Sequence, residues 1–200
     1  MTLDRYAEVK RETDETNISI ELVIDGVGKY AIDTGQPMFD HMLAQLSKHG
    51  LLDIKVSASS DNMPDGHHLI EDVAIGLGRA LRKAIDKGEG IRRMGFASVP
   101  LDEALAQVSV DVGGRGYSVI ETKLEESKLG NIPGELIKHF FESFAREAAI
   151  NINARIIDGV DPHHKSEALF KALGRSLRVA LELDPRLGKE IPSTKGTISG

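Results

Sequence analysis

Two hundred residues, 40% of them hydrophobic, suit one domain or two closely packed halves and can bury a core without covalent staples. The chain has no Cys, which excludes a disulfide framework and thiolate ligands and leaves imidazole and carboxylate for any metal site. A net charge of −6 and the absence of Trp argue against a general nucleic-acid binder, and with no signal peptide or apolar run of spanning length the chain reads as cytoplasmic, with no membrane partner.

From Tyr6 to Thr16 charges alternate with small residues, and Ile18, Ile20, Leu22 and Ile24 then alternate with polar neighbours as a half-buried strand does. Asp25-Gly26 signals a turn, after which Lys29 to Asp33 is expected to return as the second strand of a hairpin. Gly35-Gln36-Pro37 breaks the chain before a helix over Phe39 to His49, with Gly50 as its expected C-cap. A strand follows from Leu52 to Ser57, then a polar loop from Ser59 to Gly66, then a helix to about Asp86 ended by Gly88-Glu89-Gly90.

The second half opens at Arg92, with strands expected over Ala106 to Val112 and Tyr117 to Leu124 around a Gly113-Gly114-Arg115-Gly116 turn. Leu136 to Ala148 reads as a helix, Ile150 to Ile156 as a strand, and His163 to Leu183 as a long helix. The tail from Ile191 shows no periodicity and by pattern alone is flexible. The expected fold is α+β: a duplicated half-domain, each half a small, mostly antiparallel sheet backed by helices, with two helical layers packed against sheet layers. Residues 1–90 and 91–186 form the half-repeats and 187–200 the tail.

The duplication is read from one string. Asp65-Gly66-His67-His68-Leu69-Ile70-Glu71 returns as Asp161-Pro162-His163-His164-Lys165-Ser166-Glu167, an offset of 96 from His67 to His163. The same offset matches Leu77-Gly78-Arg79 with Leu173-Gly174-Arg175. Upstream, Phe39-Asp40-His41-Met42-Leu43 resembles Ile137-Lys138-His139-Phe140-Phe141 at an offset of 98. Six of the seven histidines fall at matched positions, and only His49 is left over.

On a helix the first His of each pair and the Glu four residues on share a face, while the second His points roughly 100° away. Each copy can thus serve two metal centres. His41, His67, His68, Glu71, His139, His163, His164 and Glu167 supply four ligands to each of two ions, leaving open positions on a six-coordinate metal. Manganese, iron, cobalt, nickel and zinc all suit such a set. A metal-dependent hydrolase or a non-catalytic metal-loaded cage would use the same ligands.

Several strings together resemble the imidazoleglycerol-phosphate dehydratase family: Glu15-Thr16-Asn17, Phe39-Asp40-His41-Met42-Leu43, His67-His68-Leu69-Ile70-Glu71-Asp72, Pro100-Leu101-Asp102-Glu103-Ala104, His163-His164 with Glu167, and Ser193-Thr194-Lys195-Gly196. They span nearly the whole chain in order. The resemblance implies a lyase of histidine biosynthesis that dehydrates imidazole glycerol phosphate to imidazole acetol phosphate, by way of a metal-bound imidazolate and a diazafulvene. It implies two manganese ions per active site and a 24-subunit homo-oligomer with sites at subunit interfaces. It makes the eight His and Glu residues the metal ligands and has Glu15, Gln45 and His49 face the substrate; the proton transfers need a positioned acid or base, for which Glu15 is the candidate and His49 the alternative. Arg93, Arg115, Lys171, Ser193 and Lys195 would meet the substrate phosphate, although Lys171 four residues after Glu167 also reads as an ordinary helix ion pair.

Overall fold

A computed structural model describes residues 5–60 and 66–198. The first sheet takes β1 (Tyr6–Glu12), β2 (Thr16–Val23), β3 (Tyr30–Asp33) and β4 (Asp53–Ser60) in the order β1-β2-β4-β3. The second takes β5 (Met94–Leu101), β6 (Ala104–Asp111), β7 (Tyr117–Glu121) and β10 (Asn151–Asp158) in the matching order β5-β6-β10-β7. In each sheet the fourth strand pairs in parallel and the other pairings are antiparallel. Between β7 and β10 lies a small ribbon of β8 (Lys128–Leu129) and β9 (Ile132–Pro133).

This identical order in two sheets is the duplicated α+β fold expected from the sequence, with one connection drawn differently. The hairpin is β1–β2, not β2 with the strand after Asp25-Gly26. Thr13 builds its turn by accepting the backbone N–H of Glu15 and Thr16 on its hydroxyl, at 3.2 and 3.0 Å. β3 instead crosses to pair in parallel with β4. The Asp25-Gly26 turn redirects the chain because Asp53 at the start of β4 accepts the N–H of Val27 and Lys29, both at 2.8 Å.

The four helices are α1 (Pro37–Gly50), α2 (His67–Ile85), α3 (Glu135–Ala148) and α4 (Pro162–Leu181). They lie between the sheets, α2 against β1 and β2, α4 against β5 and β6, and each also meets a helix of the other half, α1 with α4 and α2 with α3. The apolar spacing explains this: Val73, Ala74, Leu77 and Leu81, like Leu169, Phe170, Leu173 and Leu177, are fully buried in one continuous core. Phe140 stands at its centre, packed edge-on to Phe39 and beside Phe144 and Phe170.

The repeated Leu-Gly-Arg string marks the two helix crossings. A side chain at Gly78 would lie 2.8 Å from Phe144 O, and one at Gly174 would lie 2.7 Å from Leu46 O, so only glycine lets these backbones approach. Gly50 is not the C-cap; it is the last residue of α1 and faces α4, while Leu51 takes the left-handed conformation at φ 53°. Ala149 does the same after α3 at φ 54°, so both short helices end alike.

Other boundaries shift by a few residues. β7 stops at Glu121 and α4 at Leu181. Ser59 and Ser60 belong to β4, and residues 61–65 of the expected polar loop, which include Asp65 of the repeat, lie outside the described residues. The tail departs from its pattern: Arg93 Nη1 donates to Pro192 O at 2.8 Å, Ile191 packs on the core, and Ile198 is buried. Two isolated apolar anchors produce no periodicity, which is why the sequence alone reads as flexible there.

Candidate metal centre

The helix crossings bring the histidines together across the two halves. His41 of α1 meets His163 and Glu167 of α4, and His139 of α3 meets His67 and Glu71 of α2, with the donor atoms in each group within 4.8 Å of one another. In the first cluster His41 Nε2 and His163 Nε2 approach the same oxygen, Glu167 Oε2, at 2.9 and 3.0 Å. In the second, His67 and His139 stack at 5.0 Å and His139 Nε2 lies 3.3 Å from Glu71 Oε2. His139 Nε2 is nonetheless buried with no aligned hydrogen-bond partner.

The orphaned His139 nitrogen beside Glu71, and the same two-histidine, one-glutamate composition in both clusters, fit a divalent transition metal. These clusters could hold metal ions. His68 and His164, the second members of each pair, belong to neither cluster. They point off the shared face, as 100° per residue requires. His68 Nδ1 lies 2.6 Å from Glu15 Oε2, poorly aligned for a hydrogen bond. His164 Nδ1 lies 2.7 Å from Glu103 Oε2.

Local structure differs between the two copies of the motif. Asp161 caps α4, its Oδ1 accepting the N–H of His163 and His164 at 2.7 and 3.3 Å, with Pro162 in the first turn. α2 has no side-chain cap, and Gly66 turns into it at φ 69°.

The expected substrate residues are distributed unevenly. Gln45 and His49 follow His41 at successive turns of α1, and Lys171 follows Glu167 on α4. Burial and the nearby Lys171 and Arg175 cations hold the His49 ring below its ordinary pKa. Lys171 Nζ pairs with Glu167 Oε1 at 2.6 Å, the ion pair that the spacing alone suggested. Burial pushes the Glu167 carboxyl upward, but hydrogen bonds from Lys171 and His41 outweigh it and bring the pKa to about 2.

Arg93 forks onto Asp111 at 2.7 and 3.1 Å besides holding the tail, Arg115 is exposed, and Ser193 Oγ accepts the N–H of Lys195 at 3.2 Å. Among the described residues, their hydrogen bonds and ion pairs do not reach either cluster. The sequence reading gave no role to Arg175, nor to Glu103 and Asp72, which it quoted only within the strings that carry the resemblance. Arg175 was visible only as a repeat match of Arg79, which pairs with Glu147 at 2.8 Å. Asp72 receives Thr16 Oγ1 at 2.6 Å and Arg11 Nε at 2.8 Å, and so braces the turn that carries Glu15.

Residues 34–177 match the family model described as imidazoleglycerol-phosphate dehydratase. The chain belongs to that family. An imidazoleglycerol-phosphate dehydratase of Dehalococcoides mccartyi is 50% identical over 194 residues, covering 97% of both chains, and one of Methanocella arvoryzae is 48% identical over 97% of this chain and all of its own. Among solved structures, that of the Pyrococcus furiosus enzyme in complex with (S)-C348 matches with a TM-score of 0.80 and 34% identity over 94% of this chain and 99% of that one. The Staphylococcus aureus dehydratase matches at 0.77 and 33%, over 90% and 99%. The family is one of hydro-lyases in histidine biosynthesis. The whole chain, not the motif alone, therefore follows the imidazoleglycerol-phosphate dehydratase plan.

Proposed function

We infer that the chain dehydrates D-erythro-imidazole glycerol phosphate to imidazole acetol phosphate in the cytoplasm, with His41, His163 and Glu167 holding one manganese ion and His67, Glu71 and His139 another. The observation that carries this is the pair of equivalent clusters, each assembled from both halves. His68 and His164 stand in neither, so each would complete a site on a neighbouring copy. That supports a homo-oligomer with interfacial sites, of 24 subunits by family likeness. The half-repeats 1–90 and 91–186 each contribute to both clusters, and the 187–200 tail contributes to the substrate end.

When bound, the two ions would supply Lewis-acid polarisation of the substrate's imidazole ring. The chain's own residues move the protons. The hydrogen to be removed sits on carbon with no adjacent carbonyl, so a positioned base is needed, a contribution of ~10²–10⁴-fold. Glu15 is the candidate, at the tip of a braced turn beside His68. His49 is the alternative: its lowered pKa leaves the ring neutral near pH 7 and able to accept a proton. Lys171, Arg93, Arg115, Ser193 and Lys195 would hold the phosphate, since guanidinium forks and ammonium groups suit it, and Gln45 would orient the substrate.

The test is turnover of imidazole glycerol phosphate by the purified chain, after chelation and again after manganese is restored. Activity lost and regained supports the reading. Turnover unaffected by verified metal removal would refute it.

A further inference from the structure

Glu103 lies at the turn between β5 and β6, and three donors converge on its carboxylate. Oε1 accepts the backbone N–H of Val160 at 3.1 Å and of Asp161 at 2.8 Å, and Oε2 faces His164 Nδ1 at 2.7 Å. An ionised carboxylate can only accept, so Nδ1 must carry the proton. A neutral ring then keeps its lone pair on Nε2, which has no hydrogen bond among the described residues; Asp102 Oδ2 lies 3.5 Å from it.

The matching strand orders place this turn where the β1–β2 turn stands in the first sheet, and there Glu15 approaches His68 Nδ1. Each half therefore sets a carboxylate beside the second His of its pair. The copies have diverged in restraint. Glu15 Oε2 is poorly aligned with its ring, whereas Glu103 is clamped by two backbone donors to the loop that leads into α4.

We propose that Glu103 is a positioning residue, fixing His164 in the Nδ1–H tautomer and in one orientation so that Nε2 is presented to a metal ion. This rests on His164 being a ligand, as inferred above. A carboxylate behind a ligating imidazole locks its tautomer and raises its basicity, and loss of such a partner typically costs about 10–100-fold in metal affinity.

Glu103→Gln discriminates sharply because an amide has one accepting end. Two backbone donors draw the amide oxygen toward Val160 and Asp161, which leaves the NH₂ group facing Nδ1. That group donates, so Nδ1 must accept and the proton moves to Nε2, the wrong tautomer for ligation.

The experiment is manganese affinity of the full-length protein by chelator competition, for the parent, Glu103→Gln, His164→Ala and the double variant, with melting of each metal-free chain as a check on folding. Glu103→Gln should weaken the affected ion by roughly 10–100-fold with metal-free melting close to the parent's. The double variant should bind no more weakly than His164→Ala alone. Parental affinity in Glu103→Gln alongside loss in His164→Ala would overturn the positioning role and leave the ligand assignment standing. Parental affinity in His164→Ala would overturn both. Additive losses in the double variant would mean that Glu103 acts elsewhere, which also sinks the proposal. Should Glu103→Gln not fold, ring-nitrogen NMR of the parent protein, metal-free and at alkaline pH, decides independently: the His164 signal must report Nδ1–H, and an Nε2–H ring overturns the inference.

Discussion

Glu15 and Glu167 place the same residue type in two different settings. Glu15 stands at the end of a turn held by Thr13, Thr16, Arg11 and Asp72, and more than half of its side chain is exposed. Glu15→Gln preserves shape while removing the proton acceptor, so turnover should fall by ~10²–10⁴-fold with metal content unchanged. Steady-state kinetics beside elemental analysis checks this; turnover within a few-fold of the parent would pass the role to His49. Glu167 is enclosed by His41, His163 and Lys171 and titrates at about 2. A carboxyl depressed in the folded state stabilises above its ordinary value of 4.5, and that contribution fades as pH falls toward 2. The metal-free Glu167→Gln variant should therefore melt below the parent at neutral pH, the gap closing over that acidic window. A gap constant with pH would be the contrary result. The cluster residues were legible in the sequence because histidine is scarce and their spacing repeats. The contacts of Asp72 and Glu103 were not, because a carboxylate facing a turn or a loop leaves no periodic trace.

Among the elements, the helix crossings are the most sensitive to substitution. Gly174→Ala would place a methyl group 2.7 Å from Leu46 O and 2.8 Å from the Gly50 nitrogen, both backbone atoms that cannot yield cheaply. Overpacking of this kind costs about 1–3 kcal/mol, against a helix-propensity gain of about 1 kcal/mol for replacing glycine. We expect a lower denaturant midpoint for Gly174→Ala and for Gly78→Ala, measured on the metal-free chain; a midpoint at or above the parent's would show that the helices can part. The amphipathic helices were legible because their spacing repeats over four or five turns. The strand pairing was less so. A run such as Tyr30–Asp33 specifies a strand but not its neighbour, and the partner was decided by Asp53, which ties down the Val27–Lys29 loop from another strand. The tail was illegible for a related reason, since its order depends on Arg93 reaching Pro192 across 99 positions of sequence.

At the scale of the whole molecule, His68 and His164 turn away from the clusters, so metal and assembly should be coupled. Chelation should shrink the particle and manganese should restore it, as light scattering can measure; an unchanged size after verified removal would break the coupling. Within one chain the same logic applies at closer range, because each cluster takes its side chains from both halves. Ligand that binds only the joined state stabilises it by RT ln(1 + [L]/Kd), about 2.7 kcal/mol per site at a hundredfold excess over Kd. Two such sites would rivet the seam between the halves. A chain cut between Asp86 and Gly90 should then behave as a metal-dependent complementation pair: two fragments that drift apart in chelator and, on addition of manganese, recover one another as a working enzyme.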